Sequence, residues 1–212
     1  MIVYGSTMSP FVRKVLAVAA EKGMAVTSKE IGLGSADPAF LACSPFKKIP
    51  ALQDGDYTLC DSSAIIQYFE GVQPAPAMIP ADPKLRGKTI WYDEFADTIL
   101  VAAAGKVFFN RIVSPYFLGR PGDLAAADKA EAEELPPIFA YIEGVIPDSG
   151  HLVGDRLTLA DIAVASPFVN LEHGGVIPDA ATYPRLTAFI AAMLARPSFA
   201  GMVAAERKAL AG

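Results

Sequence analysis

Apolar and polar positions change period along the chain, and the first 71 residues alternate short apolar runs with helical patterns. "IVY" at positions 2–4 suits a strand. "PFVRKVLAVAAEKG" has apolar residues at 11, 12, 15, 16, 18 and 19, Pro10 at the first helical position and Gly23 as a stop, which predicts a helix over 10–23. "AVTSKEI" predicts a second strand, and "GLGSADPAFLAC" a loop with one short helical turn. "IPALQDGDYTL" predicts a hairpin, because Asp54-Gly55 is a turn dipeptide between two short strands. "DSSAIIQYFEG" closes the unit as a helix, with polar caps in front and Gly71 behind. The order β-α-β then β-β-α predicts a mixed sheet with helices packed on it.

"VQPAPAMIPADP" follows, with prolines at 74, 76, 80 and 83, and reads as an interdomain linker. Beyond it the period is helical throughout, in "KLRGKTIWYDEFADTILVAAAGKVFF", "DLAAADKAEAEELPPIFAYIEGVI", "LADIAVASPFVNLEHG", "YPRLTAFIAAMLAR" and "SFAGMVAAERKAL". The predicted organisation is an α/β domain over 1–71, a linker over 72–83 and an all-α domain over 84–212. In "LTLADI", Thr158 and Asp161 have capping-box spacing, with Leu157 and Ile162 at the staple positions, which marks a helix start rather than a reactive group.

Composition narrows the function. A net charge of −5 and a sequence pI near 5.0 argue against a nucleic-acid surface, so an acidic ligand would meet local positive charge only. The start "MIVYGS" lacks the n-region and h-region of a signal peptide, and the apolar runs fall short of a spanning helix, so a soluble cytoplasmic protein is expected. Cys43 and Cys60 lack CxxC spacing and lie far in sequence from His151 and His173, which argues against a zinc cluster or a disulfide scaffold.

The residues with chemical promise cluster in the α/β domain. In "KKIPAL", Pro50 has no N–H for a ladder, which leaves the backbone of Ile49 free to pair with an extended peptide-like ligand. A cis bond here would aim the Ile49 N–H and C=O outward; an ordinary trans proline at a strand start is the alternative. Lys47 and Lys48 would point to opposite faces of an extended chain, so at most one attends that ligand. "CDSS" puts Asp61 and Ser62 at a strand-to-helix junction, where the helix N-terminus favours an anion and the carboxylate an ammonium. Together they fit an α-amino acid; a plain N-cap explains each singly. Ser9, ahead of Pro10, sits at an N-cap position. A hydroxyl there either caps the helix or donates to a thiolate held in positive helix-end potential.

"SPFVRK", "SPFKKIPAL" and "DSSAIIQYF" resemble the thioredoxin-like half of cytosolic glutathione transferases, and "GDRLTLADIAVAS" is similar to their helical half. The resemblance spans essentially the whole chain and points to a Ser-type, bacterial member. It implies a thioredoxin-like N-terminal domain followed by an all-helical one, with glutathione as cosubstrate, no metal, and a homodimer in the cytoplasm. By the same resemblance Ile49-Pro50 matches the cis-proline site, Asp61 and Ser62 hold the γ-glutamyl end, and Lys48 lies near the glycine carboxylate. Ser9 is the expected thiol activator, with Tyr4, Ser6 and Thr7 as other candidates. The chain departs from the family where Lys47 replaces a frequent Gly and Asp61 a frequent Glu. The implied reaction is conjugation of glutathione to an apolar electrophile bound between the domains, with Phe109 and Tyr116 lining its site. Isomerisation, peroxide reduction, ether cleavage and ligand binding without turnover are the alternatives on this scaffold.

Overall fold

A computed structural model describes residues 1–211. The period-two and period-3.6 segments become β1 (Ile2–Tyr4), α1 (Pro10–Glu21), β2 (Thr27–Lys29), α2 (Pro38–Cys43), β3 (Ala51–Asp54), β4 (Tyr57–Cys60) and α3 (Ser62–Val72), in the predicted order. The strands form one sheet in the order β2-β1-β3-β4, with β1 parallel to β2 and antiparallel to β3, and β3 antiparallel to β4. Gly23 ends α1 as expected, at φ 66°. β2 is shorter than its apolar pattern predicts: only Thr27–Lys29 pair, all three exposed, because this edge strand has a partner on one side alone. The hairpin turn also moves by one residue. Asp54 pairs with Tyr57, leaving Gly55-Asp56 as the loop, with Gly55 at φ 59°.

Alternation along β1 gives each sheet face a core. Tyr4 and Ala51 join Ile31, Phe40 and Cys43 in a cluster on the α2 side. Val3 and its partner Leu52 point the other way, toward the side of α1 and α3, and are fully buried along with Val12, Val15, Ile65, Ile66 and Phe69.

In the second compact unit, residues 80–196, α4 (Pro83–Phe95) runs through a π-helical stretch, Ala96–Leu100, into α5 (Val101–Phe108) and a further π-helical stretch, Phe109–Phe117. α6 (Leu124–Lys129) likewise continues through Ala130–Glu134 into α7 (Leu135–Val145), followed by α8 (Leu159–His173) and α9 (Pro184–Leu194). α8 is buried from Leu159 to Leu171 without a polar stripe, the pattern of a central helix, and α4, α5 and α9 pack around it. Its start is the predicted capping box: the Asp161 carboxylate accepts the Thr158 N–H at 2.8 Å. The same carboxylate also accepts the Leu152 N–H at 2.7 Å, tying the preceding loop to the helix. No single helix among the described residues is long and apolar enough to cross a membrane.

The last helix, α10 (Pro197–Leu210), belongs with the sheet rather than with the helical unit that the sequence pattern assigned it to. It packs on α1, where Arg13 Nη2 meets Glu206 Oε2 at 2.8 Å and Nε meets Oε1 at 3.2 Å, both side chains almost fully buried. Ser198 donates a third bond, 2.6 Å, to Glu21. The proline-rich segment is also held by the sheet unit as far as Ile79. The Glu70 carboxylate accepts bonds from buried Lys22 Nζ at 2.6 Å, Met78 N–H at 3.0 Å and Ile79 N–H at 3.3 Å.

Removing one member of a buried ion pair is costly. Glu206→Ala is expected to lower the unfolding free energy by about 3–5 kcal/mol in urea denaturation, whereas the double variant Arg13→Met/Glu206→Leu stays near wild type. Equal losses in both variants would show that the helix contact, and not the isolated charge, carries the cost.

Candidate functional site

Strand register decides which loops meet. Lys29 pairs with Tyr4, Tyr4 with Ala51 and Ala51 with Cys60, so one row of residues crosses all four strands. Just beyond that row the chain leaves the sheet on four neighbouring paths: after β2 at Glu30, after β1 at Gly5, before β3 at Pro50 and after β4 at Asp61. Ser9, Ile49-Pro50 and Asp61-Ser62 are thereby brought to one end of the sheet, where α1 and α3 also begin and direct the positive ends of their dipoles.

The Ile49-Pro50 peptide is cis, and β3 starts only at Ala51, so Ile49 stands outside the ladder. Gly5, at φ 147°, lets the β1–α1 turn lie against it: a Cβ there would sit 3.1 Å from Ile49 Cβ and 2.5 Å from Val12 Cγ2. This glycine is part of the site's construction that the sequence reading missed, although a glycine directly after the first strand is a signal of close backbone approach.

Ser9 occupies the N-cap of α1 with extended backbone, φ −79° and ψ 126°, and its carbonyl accepts the Arg13 N–H at 3.0 Å. Its hydroxyl makes no capping bond, so the plain-cap alternative does not describe what the side chain does. Asp61 is different. It caps α3, its carboxylate accepting the Ala64 N–H at 3.0 Å, but holds φ 85° and ψ 131°. An N-cap needs no such backbone, which costs a non-glycine residue on the order of 1–3 kcal/mol and gathers at functional sites. Ser62 follows, buried, as the first residue of α3.

The two lysines separate. Lys48 is tied through its backbone, donating its N–H to Ser44 Oγ at 2.9 Å and accepting the same hydroxyl at its carbonyl at 2.7 Å. Lys47 takes a left-handed conformation, φ 57°, and lines a cleft of about 80 Å³ with residues 31–35, Phe40 and Ile49. Lys48 is not among the residues lining that cleft. Of the other activator candidates, Tyr4 is buried and donates its hydroxyl to Gln53 Oε1 at 2.6 Å, toward the far end of the sheet, since Gln53 pairs with Ile2. Ser6 Oγ accepts the Met8 N–H at 3.4 Å within the loop, and Thr7 is half-buried there.

Phe109 and Tyr116 belong to the helical unit, on the π-helical stretch Phe109–Phe117, 43% and 63% exposed. That unit also has an open apolar groove of about 290 Å³, lined by Trp91, Phe95, Ile99, Pro137, Ile138 and Tyr141, which includes neither. Among the described residues no group of three His, Cys, Asp or Glu side chains could hold a metal ion.

A four-stranded mixed sheet with a cis-proline at its site end, followed by a helical unit, defines the two-domain proteins built on a thioredoxin-like fold. Residues 3–77 match the glutathione S-transferase N-terminal domain and residues 108–205 the glutathione S-transferase C-terminal domain. Glutathione S-transferase 3 of Zea mays is 32% identical over 211 residues, covering 95% of this chain and 92% of that protein. A glutathione S-transferase of Hyoscyamus muticus is 30% identical over 205 residues, 94% of this chain and 95% of that one. Among solved structures, the theta class glutathione S-transferase of Xanthomonas axonopodis pv. citri with glutathione bound superposes with a TM-score of 0.81 at 27% identity, covering 95% of this chain and 96% of that one. The chain belongs to the glutathione S-transferase family.

Gly5→Ala is expected to cost about 1–3 kcal/mol in urea unfolding, the usual cost of overpacking a filled site. Gly71→Ala, in α3 with open space around the added methyl, is expected to stabilise by roughly 0.5–1 kcal/mol. An unchanged midpoint for Gly5→Ala would mean that the turn relaxes away from Ile49.

Proposed function

We propose that the protein binds glutathione at the site end of the sheet, stabilises its thiolate with the Ser9 hydroxyl and joins the glutathionyl group through its sulfur to an apolar electrophile. The observation that carries this reading is the Ser9 hydroxyl, which stands at a helix N-terminus without capping it, on the path that leaves β1 at the sheet end where the cis Ile49-Pro50 segment enters β3. A helix end and a hydroxyl donor both favour the anionic form of a nearby thiol, which lowers its pKa and raises its thiolate fraction at neutral pH. Family membership supports glutathione as the thiol.

In this reading Ile49 pairs through its backbone with the cysteinyl part of the tripeptide, Pro50 keeps that edge open, and Asp61 and Ser62 hold the γ-glutamyl ammonium and carboxylate. The thiol proton passes to solvent, and the sulfur attacks the electrophilic carbon. A new S–C bond forms as a leaving group departs, or as the electron pair of an attacked double bond takes up a proton. Phe109 and Tyr116 offer exposed aromatic surface to the apolar electrophile.

The test is an ultraviolet titration of the thiolate of glutathione bound to the protein. A bound-thiol pKa well below about 8.5 is expected, and Ser9→Ala should return it toward that value and lower turnover on the order of 10²-fold, with glutathione affinity nearly kept. Unchanged turnover in Ser9→Ala would move activation to Ser6, Thr7 or Tyr4, while binding with an unshifted pKa would leave a ligand carrier.

Asp61→Asn keeps a side chain that caps helices and tolerates positive φ, but removes the charge. Its dissociation constant for glutathione is expected to rise about tenfold or more, the effect of losing one charged hydrogen bond. An unchanged constant by calorimetry would remove Asp61 from the ammonium site.

A further inference from the structure

We propose that Cys43 and Cys60 are a reactive thiol pair: on exposure to a small-molecule disulfide, Cys60 attacks first and Cys43 then closes a reversible Cys43–Cys60 bond that ties α2 to β4 within the native fold. The pair takes no part in the sulfur chemistry described above, and the inference stands whether or not the site binds glutathione.

Register places Cys60. Tyr4 pairs with Ala51 and Ala51 with Cys60, and residues directly opposite one another in neighbouring strands share a sheet face. Tyr4 and Ala51 face α2, so Cys60 does too, and it packs against the cluster that holds Tyr4, Ala51, Phe40 and Cys43. Helix geometry places Cys43. The Phe40 ring lies 6.4 Å from that of Tyr4 on β1, centre to centre. Cys43 follows three residues later on the same helix face, and the helical rise carries it roughly 4.5 Å along the axis, close to the spacing of about 4.8 Å between strands. Because α2 packs on β3 and β4, that step takes Cys43 from above Tyr4 toward Ala51 and Cys60, and Ala51 contributes only a methyl group between them.

Access and acidity set the order of attack. Cys43 is 4% exposed, whereas Cys60 is half-buried on an edge strand. Burial, then the charges of Asp37 and Cys60, push the Cys43 thiol up, which makes it the slower nucleophile. The Cys60 thiol loses its proton to solvent and its thiolate attacks one sulfur of the reagent RSSR, forming a mixed disulfide and releasing one thiolate RS⁻. The Cys43 thiolate then attacks Cys60 Sγ and releases the second. Both RS⁻ take up protons, so the two protein thiols are oxidised while RSSR is reduced to two RSH. The bond joins the last residue of α2 to the last residue of β4, and the cis-proline segment and Asp61, which follow them in the chain, then start from one covalent link.

The test treats the reduced protein with glutathione disulfide and, separately, with bis(hydroxyethyl) disulfide, an uncharged reagent that offers no tripeptide, and follows intact mass, linked peptides and urea unfolding. With either reagent the wild type is expected to lose both free thiols and end two hydrogens lighter, with the Cys43 and Cys60 peptides linked within one chain. The closed loop restricts the unfolded chain, so the oxidised form should unfold at higher urea, and dithiothreitol should restore the starting mass and midpoint. Cys43→Ala should stop at a single mixed disulfide on Cys60, and Cys60→Ala should stay unmodified. The wild-type masses decide the pairing even where a variant fails to fold. A mixed disulfide that persists on the wild type, a link between two chains, thiols that both stay reduced, or a midpoint that fails to rise would overturn the pairing, and an adduct on Cys43 in Cys60→Ala would overturn the order of attack. None of these outcomes bears on the glutathione reading.

Discussion

Antiparallel pairing of Ile2–Tyr4 with Ala51–Gln53 is the constraint on which the sheet unit depends. It sends Val3 and Leu52 to one core and Tyr4 and Ala51 to the other, so a slip of one residue would exchange the two faces. Pro50 blocks such a slip from one side, because it has no N–H to extend the ladder past Ala51. The residue that ends the strand is thus the one that leaves Ile49 unpaired, and pairing of β3 with β4 then fixes Asp61 beside it. Site geometry and strand register are one specification.

Backbone strain is distributed accordingly. Among the described residues only Lys47, Asp61 and Asp155 hold positive φ without being glycine, and the first two flank Ile49-Pro50 at the same sheet end. Each costs conformational energy that a fully relaxed loop would avoid, and each is held by a neighbour: Lys47 by the Ser44 carbonyl, Asp61 by the first turn of α3.

Much of this was legible from residue order. Pro10 and Gly23 punctuate α1 because a ring fixes φ at one end and a missing Cβ permits φ 66° at the other. Ser9, Ile49-Pro50 and Asp61-Ser62 could be singled out because each residue type conflicts mildly with the element around it. The lysine pair could not be resolved, since the rule that neighbours face opposite ways assumes extended backbone and Lys47 is left-handed. Nor could the allegiance of the last helix: an apolar stripe shows that a face is covered, not by what. Arg13 and Glu206, 193 positions apart, each read alone as an ordinary charged residue on a helix. The π-helical stretches had no signal in period either, since one extra residue in a turn barely shifts an alanine-rich pattern.

The return of α10 to the sheet has a consequence for how the chain is made. Residues 1–79 carry every strand among the described residues together with Ser9, Ile49-Pro50 and Asp61-Ser62, yet the buried guanidinium of Arg13 meets the Glu206 carboxylate only once Glu206 has been synthesised. The helical unit, residues 80–196, is contiguous and complete before that point. During synthesis the order of maturation is therefore inverted relative to the order of the sequence: the second unit can close first, and the first waits for the last helix to seal it.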